Sequence, residues 1–300
     1  MEKYTKINTM YCRYVFDGKE CPNKKWLKMR NKIILGEFAD KEAEYLFDCQ
    51  WEAYSKVDGT NSKIAYFPST QEIRVEGKDE NSQSQKGQFE YLAELGEKIK
   101  PMLMEMYPHD MMKFSVVADK TARKPIYHKL GVAGKLDDIV TPDHEGDYVV
   151  TLEEVPIYIY GEYYGEGIQK CGKRYFADKH SFAVFDIKMQ GWWVPKSYRD
   201  EVCQKLGLEQ VPFLGVMTLR EIEKMVMDGF TTKVEGVSDP TLMEEGIVAR
   251  PVIPLKNGGG NRLIVKVKSC DYKEYAAARS EFTDEEFKEF TEWYNEHKLM

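Results

Sequence analysis

Lys56-Val57-Asp58-Gly59-Thr60-Asn61 sets an amine two residues before a carboxylate and three before a glycine. A lysine at a strand end, beside a glycine that lets a phosphate approach closely, can attack phosphorus once it has lost its proton. The pattern Lys-x-Asp-Gly arises by chance in roughly one chain of this length in fifteen. Asp-Gly is also a favoured hairpin turn, so the motif needs company. Lys266-Val267-Lys268 places two lysines on one face of a strand. Two cations there suit a polyphosphate and lower the pKa of a neighbouring lysine; alone, they are what an exposed strand edge carries against aggregation. Glu162 and Glu245 are of the type that holds a ribose hydroxyl or Mg²⁺, which takes one or two carboxylates and completes its shell with phosphates and water. Phe185 can stack beneath a purine, although a lone phenylalanine is more often core.

Order along the chain is more specific than any one piece. Lys56 to Asn61 is followed by Gly161-Glu162-Tyr163-Tyr164-Gly165 and Ser181-Phe182-Ala183-Val184-Phe185-Asp186-Ile187. Then come Glu244-Glu245-Gly246-Ile247-Val248-Ala249-Arg250-Pro251 and Leu263-Ile264-Val265-Lys266-Val267-Lys268. This series resembles the motifs of the covalent nucleotidyltransferases, the superfamily of DNA ligases, RNA ligases and mRNA capping enzymes. Within it, Tyr4 to Tyr11, Gly36-Glu37-Phe38, Glu44-Tyr45-Leu46 and the Thr60-Asn61 ending are most similar to phage and bacterial ATP-dependent RNA ligases. The resemblance covers roughly residues 4–83 and 156–272.

It implies an α+β fold: an ATP-grasp-like nucleotidyltransferase domain of antiparallel β-sheets with flanking helices. It implies that Lys56 carries AMP, with Asp58 and Gly59 in the same motif, that Glu162 contacts the ribose, and that Phe185 stacks on adenine. Glu245, with Glu162, would bind Mg²⁺ or Mn²⁺, and Lys266 and Lys268 would contact the phosphates of ATP. The second motif departs from the family. Gly77-Lys78-Asp79-Glu80-Asn81-Ser82-Gln83 has Lys78 where the family has an arginine that touches nucleotide or RNA. Lysine lacks the planar fork, so the exchange is not conservative; Arg74 is the nearest substitute.

The elements that must position these groups can be read from periodicity. Residues 51–54, 63–67, 72–76, 156–161, 182–187, 246–250 and 263–267 read as strands. Residues 87–106 read as a helix in which Pro101 suggests a late kink or an early stop. Thr218 with Glu221, and Thr283 with Glu286, have the spacing of capping boxes at helix starts. Residues 107–155 are irregular and read as an insertion. The expected organisation is an appendage at 1–50, a catalytic domain at 51–272 and a short helical tail at 273–300.

Composition narrows the partners. The chain has 300 residues and a net charge of −7, so any nucleic-acid contact must rest on local patches. Lys24, Lys25, Lys28, Arg30 and Lys32 surround Trp26, a group that can bind RNA phosphates and stack a base, or equally form a solvated loop. Lys170, Lys173 and Arg174 form a second such group, and Lys78 is a further candidate contact. The six cysteines form no CxxC pair and the five histidines have no metal-pair spacing. No apolar run approaches the ~20 residues of a membrane span. The expected location is therefore the cytoplasm; the resemblance implies a ligase that seals RNA, as a nicked duplex or an RNA/DNA hybrid, and a monomer is expected. The alternatives are a DNA nick-sealing ligase and a nucleic-acid-binding module without turnover, which Lys78 favours.

Overall fold

The computed structural model describes residues 4–78, 84–108, 111–117, 127–132, 149–189 and 191–299. The 79–83 half of the second motif and much of the expected insertion (109–110, 118–126 and 133–148) lie outside the described residues. The chain divides into two compact units. One comprises Met1–Tyr4 with Asp58–Val211, the other Thr5–Val57 with Pro212–Met300, so the division passes through the first motif.

The first unit is built on a five-stranded antiparallel sheet in the order Trp192–Trp193, His180–Met189, Ile157–Gly165, Thr60–Phe67, Glu72–Glu76. Its central strands are rich in aromatic and β-branched residues and are buried almost throughout, as strands covered on both faces are. On one face Ile64, Tyr66, Ile159 and Val184 pack with Leu92, Ile99 and Leu103 of the Gln88–Met106 helix and Val202 and Leu206 of the Lys196–Leu206 helix. The early stop suggested by Pro101 does not occur. The helix runs on to Met106, because Leu103 beyond the proline is fully buried in this core.

The other face carries Ala65, Phe67, Tyr158 and Tyr160, with Tyr4, Phe185 and Trp193 packed on them. A register shift opens here: Tyr160 pairs with Asp186 but Gly161 pairs with Val184. Phe185 is the extra residue of a β-bulge, a device that re-aims side chains. Asp186 is fully buried and accepts a hydrogen bond from the Tyr4 hydroxyl at 2.8 Å, although Phe185 beside it packs with the same cluster. The buried guanidinium of Arg199 donates to the Phe185 carbonyl at 3.0 Å. Residues 107–155, which read as irregular, contain a three-stranded antiparallel sheet with Met111–Val117 between Tyr127–Val132 and Val149–Glu154.

The second unit holds a five-stranded sheet in the order Asn8–Thr9, Val265–Lys268, Gly246–Pro251, Trp51–Ser55, Phe213–Met217. All its pairings are antiparallel except that of Asn8–Thr9 with Val265–Lys268. Trp51, Ala53, Ile247, Ala249, Val265 and Val267 line one core with Leu219, Ile222 and Val226 of the Leu219–Asp228 helix. That helix starts in the expected capping box of Thr218 and Glu221, and the Asp284–His297 helix in that of Thr283 and Glu286. A satellite core of Tyr14, Phe16, Met29, Phe282, Phe290 and Tyr294 packs the N-terminal segment against that last helix. Among the described residues no helix is long and apolar enough to cross a membrane.

Candidate active site

In the second unit, the strand register brings four of the expected residues together. Gly246 pairs with Lys268 and Val248 with Lys266, while Ile247 pairs with Ser55 on the opposite side. Val265 and Val267 enter the core, so Lys266 and Lys268 emerge together on the other face. Lys56 follows directly on the Trp51–Ser55 strand and is tied by its backbone N–H to the Gly246 carbonyl at 3.0 Å. Glu245 then meets two lysines at once: Lys56 Nζ lies 2.5 Å from its Oε2 and Lys268 Nζ 2.7 Å from its Oε1.

The third lysine has no such partner. Lys266 is half-buried, and among the described residues no carboxylate lies within ion-pair distance of it. Burial, then the charges of Lys56, Lys268 and Arg13, hold its ammonium below the usual lysine range, with Asp271 acting the other way. For Lys268, burial also acts downward, but the hydrogen bond and charge of Glu245 outweigh it and the direction is upward. Lys56, Lys266, Lys268 and Arg13 thus outnumber the carboxylates Glu245 and Asp271, and the surplus positive charge suits an anion of high charge density. Next to this cluster Glu244 is buried, and burial pushes its carboxyl above the usual range.

Asp58, Gly59, Glu162 and Phe185 lie in the first unit. Gly59 sits where the chain passes over the Ile157–Gly165 strand. A Cβ there would fall 2.4 Å from the Tyr163 carbonyl oxygen and 2.9 Å from Glu162 Cγ. Close approach is thus what requires glycine at this position. Gly59→Ala is expected to destabilise the fold by about 1–3 kcal/mol, read as a lowered denaturant midpoint with unchanged m-value. Glu162, half-buried, stands in the ladder between Asn61 and Ala183. Phe185 is also half-buried, with the Tyr4 ring edge-on to it at 5.0 Å.

Lys78 is exposed just past the Glu72–Glu76 strand. Arg74, its suggested substitute, is bound to Glu72 at 2.7 Å and lies over the Phe67 ring at 4.3 Å. The N-terminal basic cluster is partly spent on the fold. Lys25 pairs with Glu286 at 2.6 Å, Lys32 with Glu274 at 2.7 Å, and Lys28 with Glu281. Trp26 packs against Trp293 and Phe290 at 5.5 and 5.9 Å. Lys24 and Arg30 remain exposed. In the second patch, Lys173 lies 3.8 Å from Glu166.

Two sets of functional groups escaped the sequence reading. Arg13 pairs with Asp271 at 2.7 Å and adds to the positive field on Lys266. Gln169, Cys171 and Tyr175 hydrogen-bond to Asp58 or Gly59. The separations are 258 residues in the first case and more than 100 in the second, so no local pattern signals either.

The RNA ligase family model matches residues 50–268, which includes every motif residue from Lys56 to Lys268. The chain belongs to the RNA ligase family. A comparison with curated protein sequences finds no match. Among solved structures, this RNA ligase family member is similar to forms of the Naegleria gruberi RNA ligase. One, with AMP and Mn, is 14% identical with a TM-score of 0.46, the match covering 79% of this chain and 55% of that one. A second, with ATP and Mn, is 13% identical with a TM-score of 0.47, covering 93% and 65%. A third, also with ATP and Mn, is 15% identical with a TM-score of 0.45, covering 78% and 54%. The chain spans a little over half the length of the first of these.

Proposed function

We propose that the chain is an ATP-dependent RNA ligase that joins 5′-phosphate and 3′-hydroxyl ends through a lysyl-AMP on Lys56. The observation that carries this reading is Lys266, a half-buried ammonium with no carboxylate at ion-pair distance among the described residues, set beside Lys56 and Lys268. A lysine row kept only for solubility would be solvated or paired throughout; Lys56 and Lys268 share Glu245, but Lys266 is half-buried and outside that pairing, which suits a triphosphate.

The chemistry follows from the same groups. Lys56 must give up its proton and its hold on Glu245 before its lone pair can attack. Its Nζ then bonds to the α-phosphorus of ATP, and the bond from that phosphorus to the bridging oxygen breaks, with pyrophosphate leaving. A 5′-phosphate oxygen next displaces Lys56 from phosphorus, and the amine recovers its proton. The 3′-hydroxyl oxygen finally attacks the activated 5′-phosphorus and AMP leaves. Lys266 and Lys268 neutralise charge on the transferring phosphates, and positioning with charge neutralisation supplies most of the catalysis in phosphoryl transfer.

A divalent metal, Mg²⁺ or Mn²⁺, fits the donors present. Among the described residues no cluster of three ligating side chains could cage an ion. Glu245 in one unit and Glu162 in the other are each a carboxylate of the kind used by an ion that draws its other ligands from phosphate and water. When bound it would stabilise charge on the leaving pyrophosphate. Glu162 contacts the ribose and Phe185 the adenine face. RNA contact falls on Lys78, Lys24 and Arg30, with Lys25, Trp26 and Lys28 as neighbours that also serve the fold. The protein acts as a monomer in the cytoplasm, in RNA repair.

The test is covalent labelling. Protein stripped of AMP is incubated with Mg²⁺ and ATP labelled at the α-phosphate, then denatured. Label that survives alkali and is lost in acid, as a phosphorus–nitrogen bond is, supports the reading. A well-folded protein that takes no label overturns it. Comparing RNA, DNA and hybrid nicks then separates RNA sealing from DNA sealing.

A further inference from the structure

One loop holds the Asp58–Gly59 turn at three points. After the Ile157–Gly165 strand the chain folds back on itself through Gly165, Gly167 and Gly172, with the Ile168 N–H donating to the Gly165 carbonyl at 3.0 Å. Gly172 approaches so closely that a Cβ would lie 2.0 Å from the Gly165 carbonyl oxygen. The path of the loop is therefore narrowly determined. From it, Gln169 Nε2 donates to the Gly59 carbonyl at 3.1 Å, Cys171 Sγ donates to Asp58 Oδ2 at 2.9 Å, and the Tyr175 hydroxyl accepts from the Asp58 N–H at 3.2 Å. Tyr175 is 1% exposed and packs edge-on against Tyr164 at 5.3 Å, so its hydroxyl has little freedom to leave.

A turn serving only to reverse the chain can leave its polar groups to water. Here the N–H and carboxylate of Asp58 and the carbonyl of Gly59 are each taken by a different residue of one loop. We infer that Cys171 and Tyr175 are positioning residues for adenylylation: Cys171 sets the direction of the Asp58 carboxylate, and Tyr175 fixes the Asp58 backbone. This rests on the reading above that Asp58 belongs to the lysyl-AMP motif. Both act through Asp58 and neither adds charge to the phosphate-binding lysines. Their loss should therefore slow the chemical step more than it weakens ATP binding.

Serine and alanine at position 171 separate this role from a packing role. A serine hydroxyl donates to a carboxylate at least as well as a thiol does, and alanine cannot donate. Single-turnover labelling with α-phosphate-labelled ATP, across ATP concentrations, would compare the wild type with Cys171→Ala, Cys171→Ser, Tyr175→Phe and the exposed-cysteine control Cys49→Ala. The expected result is a maximal rate lowered about 5–20-fold in Cys171→Ala and Tyr175→Phe, with half-saturating ATP changed less than about twofold. Cys171→Ser should recover to within about threefold of wild type, and Cys49→Ala should match it. A fall in Cys171→Ala that serine does not rescue, or one that tracks a lowered melting temperature, overturns the inference in favour of packing. Full rates in Cys171→Ala and Tyr175→Phe overturn it while leaving the ligase reading intact. No label on the wild type overturns both.

Discussion

Lys56→Arg is expected to leave the protein folded and to lower adenylate formation by at least about 10³-fold. Arginine keeps the positive charge and can grip Glu245, which in the wild type lies 2.5 Å from Lys56 Nζ. Its guanidinium cannot release a proton under working conditions, so it offers no lone pair to phosphorus. The substitution separates a lysine needed as a charge from one needed as a nucleophile. A charge role predicts near-normal labelling in Lys56→Arg; a covalent role predicts none above background. The later chemistry supplies an internal control. Once a 5′ end already carries AMP, the attack of a 3′-hydroxyl no longer needs an amine nucleophile. Lys56→Arg should therefore still seal a pre-adenylylated RNA within about tenfold of the wild-type rate, because the remaining lysines still neutralise the transferring phosphate. Gel-resolved ligation of such an oligonucleotide, without ATP, checks it. Loss of both activities would mean that arginine has disturbed the site as a whole.

The placement of the lysine pair was legible because it obeys simple periodicity. Strand alternation alone puts Lys266 and Lys268 on one face and Val265 and Val267 in the core. Capping boxes at Thr218 and Thr283 are local, and they form where the pattern places them. What failed did so where local rules are overridden. The bulge at Phe185 breaks period two, so the packing of Phe185 and the buried Asp186–Tyr4 hydrogen bond cannot be read from alternation. Pro101 stays inside its helix because burial of Leu103 outweighs the lost backbone hydrogen bond. Lys25, Lys28 and Lys32 read equally as an RNA patch or a solvated loop, and their ion pairs were hidden because the carboxylate partners lie more than 240 residues away in sequence. Separation in sequence also hid Arg13, 258 residues from Asp271, and the loop that grips Asp58 and Gly59 from more than 100 residues away.

Lys266→Met is expected to move stability and activity in opposite directions. The lysine is half-buried among like charges, and burial first, then Lys56, Lys268 and Arg13, depress its pKa in the folded protein. The sign is then fixed by linkage. The unfolded chain binds this proton more tightly than the folded one, so stability rises with pH between the lowered folded value and the unfolded value of 10.5. Below that window the fold carries the whole penalty of the charged form. Methionine has similar reach and no charge, so its melting temperature near neutral pH should exceed that of the wild type by about 1–3 °C. The gap should narrow as pH rises toward 10.5 and close above it, where the wild-type lysine is neutral in both states. Meanwhile the rate of adenylate formation should fall by about 10²–10³-fold, the usual cost of removing one preorganised charge from a phosphoryl-transfer site. Melting curves across pH and single-turnover labelling check the two halves separately. A destabilised Lys266→Met with normal labelling would make this lysine a structural one. The expected pattern instead identifies a charge held at some expense to the fold because a phosphate completes it.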